Sequence, residues 1–178
     1  MRLTLFLALA FVSAAVAQET PQADAGPPYQ VKILDLVFNI VDMGGRVEDL
    51  AVKETETEVR IAMAADVLFE FDKADLLPKA EATLAKAAAM IGEKAKGGRA
   101  KIEGHTDGKG SDAYNLRLSQ RRAESVRRWF QTHGLSQLSF TTEGYGAKRP
   151  VAPNTKPDGS DDAEGRSRNR RVEIVITK

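Results

Sequence analysis

The fold is decided by the stretch Ile102–Val126, IEGHTDGKGSDAYNLRLSQRRAESV, in which a strand, a polar turn and a helix follow one another. The strand is predicted over Arg99–Gly104, before the polar turn HTDG. The helix is predicted over about Tyr114–Thr132, with Gly134 as its stop. Its apolar face contains Leu116, Ala123, Val126 and Phe130. The polar side chains of the turn are therefore expected beside a packed core.

Strands and helices alternate along the rest of the chain. Apolar and polar residues alternate from Thr55 to Met63, which indicates a strand with one buried face. A first helix is predicted to follow Pro78 and to end near Gly97. Its packed face contains Leu84, Ala87, Ala88 and Ile91. With two more strands, predicted over 138–142 and 171–177, the class is α+β, with two main helices on one face of a small mixed sheet.

The chain is predicted to divide into four parts. Residues 1–17 have the positive Arg2, an apolar run and small residues before the cleavage point, which is the pattern of a cleaved signal peptide. Residues 18–29 are rich in Pro, Ala and Gly, and a flexible leader is expected there. Residues 30–65 are expected to be a β-rich extension, with a hairpin or short connection at its Gly-Gly pair. Residues 66–178 form the main domain, and no transmembrane segment is predicted in the mature chain.

The composition excludes several classes of protein. The 178 residues contain 26 Lys and Arg against 25 Asp and Glu, so no global positive field favours nucleic acid. The absence of cysteine excludes a disulfide scaffold, a thiol nucleophile, a thiolate zinc site and a lipid-bearing cysteine.

Two charged segments are interpreted as solvated. The polar stretch 150–169 is predicted to be a mobile loop, because its carboxylates lack the spacing of an EF-hand loop. Most arginines of the second helix are expected on an exposed face, with salt bridges to Glu124 and its neighbours.

Asp107 and Arg122 are the strongest candidates for a binding site. Arg122 follows Asn115 by seven residues, so both lie on one face of the helix and line one groove. Asp107 lies where the strand gives way to the turn. A carboxylate at the sheet edge and a guanidinium on the adjacent helix can hold the two ends of a zwitterion. This pattern indicates recognition of an amino acid.

Four ordered blocks of the sequence resemble the OmpA-like peptidoglycan-binding domain family, which includes outer-membrane proteins, Pal lipoproteins and flagellar stator proteins. The resemblance runs from about Asp66 to Lys178 and implies a βαβαβ-type fold. The blocks are VLFEFDKADLLPKA (67–80), IEGHTDGKGSDAYNLRLSQRRAESV (102–126), GYGAKRP (144–150) and GRSRNRRVEI (165–174).

The resemblance also implies a function without catalysis or a cofactor. It implies non-covalent binding of the diaminopimelate residue of the peptidoglycan stem, with Asp107 taking the ammonium and Arg122 the carboxylate. Further contacts implied by the resemblance fall on Phe71, Asp72, Thr106, Asn115 and Arg170. Strand alternation allows only one of Arg170 and Arg171 to face the groove. The expected location is the periplasm, in association with the cell wall and near the outer membrane.

Two other functions stay open on the sequence. Glu103, His105 and Asp107 alternate along one strand and could present three ligands to a metal ion, which would suit a metal-dependent hydrolase. Alternatively, residues 30–65 bind an envelope protein by adding strands to its sheet. These same strands could instead extend the sheet of the domain itself.

Overall fold

Five strands form one mixed sheet in the computed structural model, which describes residues 50–96 and 98–178. Their order across the sheet is β1-β2-β5-β3-β4, with β3 and β4 parallel and the other neighbours antiparallel. The strands are β1 (Leu50–Glu54), β2 (Glu58–Ala64), β3 (Arg99–His105), β4 (Ser139–Gly146) and β5 (Arg171–Thr177). The predicted signal peptide, the leader and the start of the extension lie outside the described residues.

Four helices of the described residues accompany the sheet. They are α1 (Ala65–Leu68), α2 (Ala80–Lys94), α3 (Asp112–Thr132) and α4 (Ala163–Asn169). Pro78 precedes α2, as expected for a proline near a helix start. The Ser111 side chain caps α3 by accepting a hydrogen bond from the Tyr114 N–H at 3.3 Å. Gly134 follows α3 with a φ of 89°, so the helix ends at the glycine that was predicted to stop it.

The two long helices and one face of the sheet enclose the hydrophobic core. Alternate residues of β2 and β5 point into it, and Ile102 joins them from β3. The core residues from these elements are Val59, Ile61, Met63, Ile174 and Ile176, with Leu84, Ala87 and Ile91 from α2 and Ala123, Val126 and Phe130 from α3. Each large apolar side chain buried here contributes about 1.5–3 kcal/mol. The predicted class, with two main helices on one face of a mixed sheet, is confirmed.

The other face of the sheet carries charged side chains. Glu173 of β5 accepts hydrogen bonds from Arg60 of β2 at 2.8 Å and from Arg171 at 2.6 Å. Lys101 of β3 pairs with Glu143 of β4 at 2.6 Å. The sheet therefore separates an apolar layer from a layer of ion pairs.

Residues 50–64 belong to the sheet of the domain itself. All seven residues of β2 pair with β5, and β1 pairs with β2. The described part of the extension, from residue 50 onward, therefore follows the alternative in which its strands extend the domain's own sheet. The strand predicted from Thr55 begins only at Glu58, because Thr55 forms a turn in which its N–H donates to the Glu58 carbonyl at 2.8 Å.

Two further predictions from the sequence were wrong. Leu116 is 42% exposed, and Leu118 takes the buried position. At about 100° per residue, Leu116 lies at the edge of the buried arc of α3, just beyond Ala123. The stretch 150–169 is not a mobile loop throughout, because it contains α4. Buried Asn169 also accepts hydrogen bonds from the N–H groups of Val151 and Ala152, at 2.8 and 3.0 Å, and so fixes the path of the chain.

Candidate functional site

A cleft of about 1020 Å³ lies beside the turn that follows β3. Its walls come from the connection between α1 and α2, the turn after β3, the first half of α3, and α4 with Arg170. All seven residues predicted to contact a ligand line this cleft: Phe71, Asp72, Thr106, Asp107, Asn115, Arg122 and Arg170. Five cationic and four acidic side chains line it together, so the cleft presents both signs of charge.

Two glycines let α3 lie close enough to the sheet to form the cleft wall. A Cβ atom at Gly104 of β3 would lie 2.8 Å from the carbonyl carbon of Ser119, and one at Gly144 of β4 would lie 2.5 Å from the N atom of Gln120. Real Cβ atoms do not approach so closely, so any side chain here would push α3 outward. These contacts set the depth at which α3 presents Arg122.

Side-chain hydrogen bonds hold the turn after β3. Asp107 Oδ1 accepts from the Lys109 N–H at 3.0 Å, which is the Asx-turn expected for an aspartate in this position. Asn115 Nδ2 donates to the Lys109 carbonyl at 2.9 Å, and Thr106 Oγ1 donates to the Asp107 carbonyl at 3.0 Å. Thr106 and Asn115 therefore line the cleft while they also fix the shape of the turn.

Arg122 is a buried cation that no carboxylate of the described residues pairs with directly. Its side chain is 5% exposed, and its guanidinium lies 5.1 Å from the centre of the Phe69 ring. Nε donates to the Lys73 carbonyl at 2.9 Å, and Nη2 donates to the Glu70 carbonyl at 3.5 Å. Within residues 50–96 and 98–178, no carboxylate oxygen lies within 4.0 Å of this guanidinium. Burial lowers the pKa of Arg122, while the charges of Asp66 and Asp72, which lie beyond ion-pair distance, oppose that shift.

Asp107, in contrast, is already paired. Its Oδ2 accepts from Arg170 Nη1 at 2.9 Å and lies 3.4 Å from Arg166 Nη1. Arg170 also binds Asp66 through two parallel hydrogen bonds of 2.6 and 3.0 Å. These bonds lower the pKa of Asp66 and raise the pKa of Arg170. The predicted ligand contact Arg170 is thus also a bridge between two acidic side chains of the cleft.

An aromatic side chain stands at the mouth of the cleft. Phe71 is 94% exposed, which is unusual for a phenylalanine in a folded domain. The next residue, Asp72, has a φ of 64°, and its carboxylate accepts a hydrogen bond from the Tyr114 hydroxyl. The bond to α3 therefore fixes the segment that presents Phe71.

Several cleft residues were missed in the sequence analysis. The most important are Asp66, which binds Arg170, and Arg166, which contacts Asp107. Arg166 and Arg170 are four residues apart, a spacing that places both on one helical face. That signal becomes visible only if a helix is expected around Arg166, and the polar stretch gave no apolar period to suggest one.

Alternation at the start of β5 separates the two neighbouring arginines as predicted. Arg170 lines the cleft, whereas Arg171 lies on the charged face of the sheet and binds Glu173. The metal-site prediction is wrong in one ligand. Glu103 and His105 share the charged face, but Asp107 belongs to the cleft, and the third group near them is Glu173. Burial lowers the pKa of His105 to about 4, so its imidazole is neutral.

The arginines of α3 outside the cleft behave as the sequence indicated. Arg127 pairs with Glu124 one turn away, on the outer surface of the helix. Arg128 donates to the Ser125 hydroxyl at 2.8 Å. The acidic residues of the stretch 150–169 serve local structure rather than a shared ion: Asp162 caps α4, Asp161 binds Arg166, and Asp158 accepts from Ser160.

Comparison with known proteins assigns the family. Residues 68–164 match the OmpA family, and the chain belongs to it. Outer membrane protein A of Bordetella avium is 38% identical over 130 residues, which are 70% of this chain and 60% of that protein. The peptidoglycan-associated lipoprotein of Pseudomonas putida is 38% identical over 106 residues, which are 60% of this chain and 59% of that protein. The family and its envelope relatives confirm the prediction that the chain is not an enzyme.

A solved structure supports the same fold. The cell wall anchor of the T6SS from Pseudomonas aeruginosa superposes with a TM-score of 0.59 at 31% identity, over 72% of this chain and 87% of that chain. Photosystem I P700 chlorophyll a apoprotein A2 of Gloeobacter violaceus is 39% identical over 132 residues, but these are only 15% of that protein, and the match carries no functional argument. The chain thus spans 60% or less of the length of these curated relatives. Among the described residues, no helix is both long and apolar enough to cross a membrane.

Proposed function

We propose that this chain is a non-catalytic protein of the cell envelope that binds peptidoglycan, and that the cleft holds the diaminopimelate residue of the peptide stem. The observation that carries the proposal is Arg122, a buried guanidinium with no carboxylate partner among the described residues. A buried, unpaired charge is costly, and an anionic ligand would remove that cost. Two relatives, named a peptidoglycan-associated lipoprotein and a cell wall anchor, support peptidoglycan as the source of the ligand.

Arg122 is assigned to the carboxylate of diaminopimelate. Its guanidinium presents donors in a planar fork that matches a carboxylate with two parallel bonds. The two backbone carbonyls that it already contacts hold the fork in place without neutralising it. A charged hydrogen bond of this kind contributes about 1.5–3 kcal/mol.

Asp107 is assigned to the ammonium group. In the free protein its Oδ2 is engaged by Arg170 and Arg166, so the incoming ammonium takes the place of one of these guanidinium contacts. The contact of Asp107 with Arg166 is the easier one to break, because its distance of 3.4 Å is the longer of the two. The Arg166 guanidinium also keeps Asp161 as a partner, at 2.5 Å. Arg170 keeps Asp66 as a partner in either state. Breaking this guanidinium contact offsets part of the binding free energy of the ammonium. The site is therefore expected to be weak, with a Kd between about 1 mM and 1 μM.

The remaining cleft residues are assigned to maintaining the shape of the cleft and to contacting apolar atoms of the ligand. Thr106 and Asn115 maintain the turn that carries Asp107. Phe71 is placed to cover apolar atoms of the bound stem, with Asp72 fixing its position through Tyr114. A periplasmic location follows from this ligand and agrees with the signal peptide predicted over residues 1–17.

Co-sedimentation with purified sacculi tests the proposal. Arg122→Met and Asp107→Asn are each expected to lower the apparent affinity for sacculi at least about tenfold, because each removes one charged contact. The fraction of protein that sediments with the sacculi measures this loss. Arg127→Met is the matched control, since Arg127 lies on the same helix but pairs with Glu124 outside the cleft. Circular dichroism checks that each variant is folded. Wild-type levels of sedimentation for both cleft variants would refute the site.

A further inference from the structure

Glu103, His105 and Glu173 form a buried cluster on the charged face of the sheet, away from the cleft. Glu103 and His105 lie on β3, and Glu173 lies on the neighbouring strand β5. One ligand atom from each side chain lies within 4.8 Å of those of the other two. All three residues are buried, which separates the cluster from an ordinary group of surface carboxylates.

In the part of the chain that the structure describes, the imidazole of His105 lacks a hydrogen-bond partner. The residue is 1% exposed, and neither Nδ1 nor Nε2 has a partner among the described residues. The ring stacks on Tyr145, with 5.5 Å between ring centres, but stacking satisfies neither nitrogen. A buried imidazole normally binds a hydrogen-bonding group or a metal ion through at least one nitrogen. The orphaned nitrogens beside two carboxylates therefore indicate a missing ligand.

We propose that Glu103, His105 and Glu173 bind a divalent first-row transition-metal ion, for which Zn²⁺ is the probe. One imidazole and two carboxylates are a ligand set that Zn²⁺ accepts, and three protein ligands leave a fourth position for water. A carboxylate oxygen has more than one lone pair, so each glutamate can bind the ion and still accept a hydrogen bond. The ion would join β3 to β5 directly behind the turn that carries Thr106 and Asp107.

Four cationic side chains compete with the ion. Glu103 lies within ion-pair distance of Arg60, Lys101 and Arg149, and Glu173 pairs with Arg60 and Arg171. Arg149 has the longest of these contacts, 3.6 Å, and its side chain is 52% exposed. Its guanidinium also lies over the Tyr145 ring, 3.6 Å from the ring centre, so solvent and the ring can hold this charge without Glu103. Metal binding is therefore weakened by local positive charge, and removal of Arg149 is expected to strengthen it.

Calorimetric titration of the untagged, chelator-treated chain with Zn²⁺ tests the proposal. The wild type is expected to bind one ion, and His105→Gln and Glu173→Gln are each expected to lose about tenfold or more in affinity. Arg149→Gln is expected to bind at least as tightly as the wild type. His133→Gln is the matched control, because His133 is the other histidine of the sequence and is exposed.

A spectroscopic measurement keeps the test independent of how well the variants fold. Co²⁺ added to the wild type is expected to give visible absorption bands of a low-coordinate site with a nitrogen ligand, and Zn²⁺ is expected to remove them. The proposal is overturned if the wild type binds no Zn²⁺, if folded His105→Gln binds it as tightly as the wild type, or if His133→Gln alone abolishes binding.

Discussion

Arg122 and Asp107 are both buried charges of one cleft, but their surroundings differ. Among the described residues the Arg122 guanidinium donates to two backbone carbonyls and lies over an aromatic ring, whereas Asp107 has two guanidinium partners and a backbone N–H. A buried charge without a direct partner lowers the stability of the fold, whereas a buried charge that pairs with other charged groups raises it. The two residues are therefore expected to contribute to stability with opposite signs, although both are assigned to the same ligand.

Substitution of these residues is expected to separate function from stability. Arg122→Met keeps the volume and removes a buried charge with no direct carboxylate partner among the described residues, so the free energy of unfolding should change by less than about 1 kcal/mol or rise. Asp107→Ala leaves Arg166 and Arg170 without this carboxylate partner and should lower the free energy of unfolding by about 1–3 kcal/mol. Urea denaturation of the ligand-free chain measures both values. A larger loss for Arg122→Met than for Asp107→Ala would contradict the description of Arg122 as a buried charge without a direct carboxylate partner.

His105 gives the ligand-free chain a pH-dependent stability. Burial, with a further contribution from Arg171, lowers its pKa from 6.5 to about 4, while Glu173 and Glu103 oppose the shift and Arg149 adds to it. Between these two pH values the unfolded state binds more protons than the folded state, so stability falls as the pH falls. The expected loss from pH 7 to pH 4 is about 3 kcal/mol.

Urea denaturation at a series of pH values, with a chelator present, measures this loss. The slope between pH 6.5 and pH 4.5 should be clearly shallower in His105→Gln, where carboxylates with a lowered pKa such as Glu173 still contribute, and it should be retained in His133→Gln. A wild-type stability that is constant over this range would show that the His105 imidazole is not held neutral by burial.

At the level of secondary structure, the close approach of α3 to β3 and β4 is the contact that shapes the cleft. Gly104→Ala should destabilise the fold by about 1–3 kcal/mol, because the new methyl group meets the backbone of Ser119 and not a flexible side chain. Gly92→Ala is the matched control. Gly92 lies within α2, and its Cβ would lie 3.7 Å from Leu135, an ordinary contact, so this change should stabilise the chain by up to about 1 kcal/mol.

Thermal unfolding followed by circular dichroism compares the two glycine variants. Gly104→Ala should also weaken sacculus binding, since an outward shift of α3 carries Arg122 with it. An unfolding temperature for Gly104→Ala equal to that of the wild type would contradict the close packing described here.

The long amphipathic elements could be predicted from the sequence because their apolar residues repeat with a clear period. The packed face of α2 and the alternating strands β2 and β5 follow directly from that period. α4 could not be predicted in this way, because AEGRSRN has no apolar stripe. It is positioned instead by the Asp162 cap, by the close contact of Gly165 with the Pro153 carbonyl and by buried Asn169. Such tertiary contacts leave no periodic signal.

Part of the candidate site could be predicted from the sequence, but Asp66, Arg166 and the pairing of the charges could not. The spacing of Asn115 and Arg122 on one helical face, and the place of Asp107 at a strand end, were sufficient to bring them to one cleft. The pairing of Asp107 with Arg166 depends on α4, and the bridge from Arg170 to Asp66 joins residues 104 positions apart. Neither contact can be read from local sequence.

At the level of the whole domain, the sheet divides the molecule into two layers with different roles. One layer is the apolar core with α2 and α3, whose edge forms the cleft. The other is the charged face, where Glu103, Glu173 and His105 lie among four cationic side chains. The proposed wall-binding site and the proposed metal site therefore lie on different sides of the sheet, but His105 directly precedes the turn that carries Asp107, so sacculus binding is measured with a chelator present.

The most direct measurement of ligand recognition is titration of the purified chain with two muropeptides that differ only in having diaminopimelate or lysine in the stem. Lysine lacks the second carboxylate and leaves Arg122 unpaired, so the diaminopimelate stem should bind at least about tenfold more tightly. Arg122→Met should bind both stems with the same low affinity. Equal affinity of the wild-type chain for the two stems would contradict the assignment of Arg122 to the stem carboxylate.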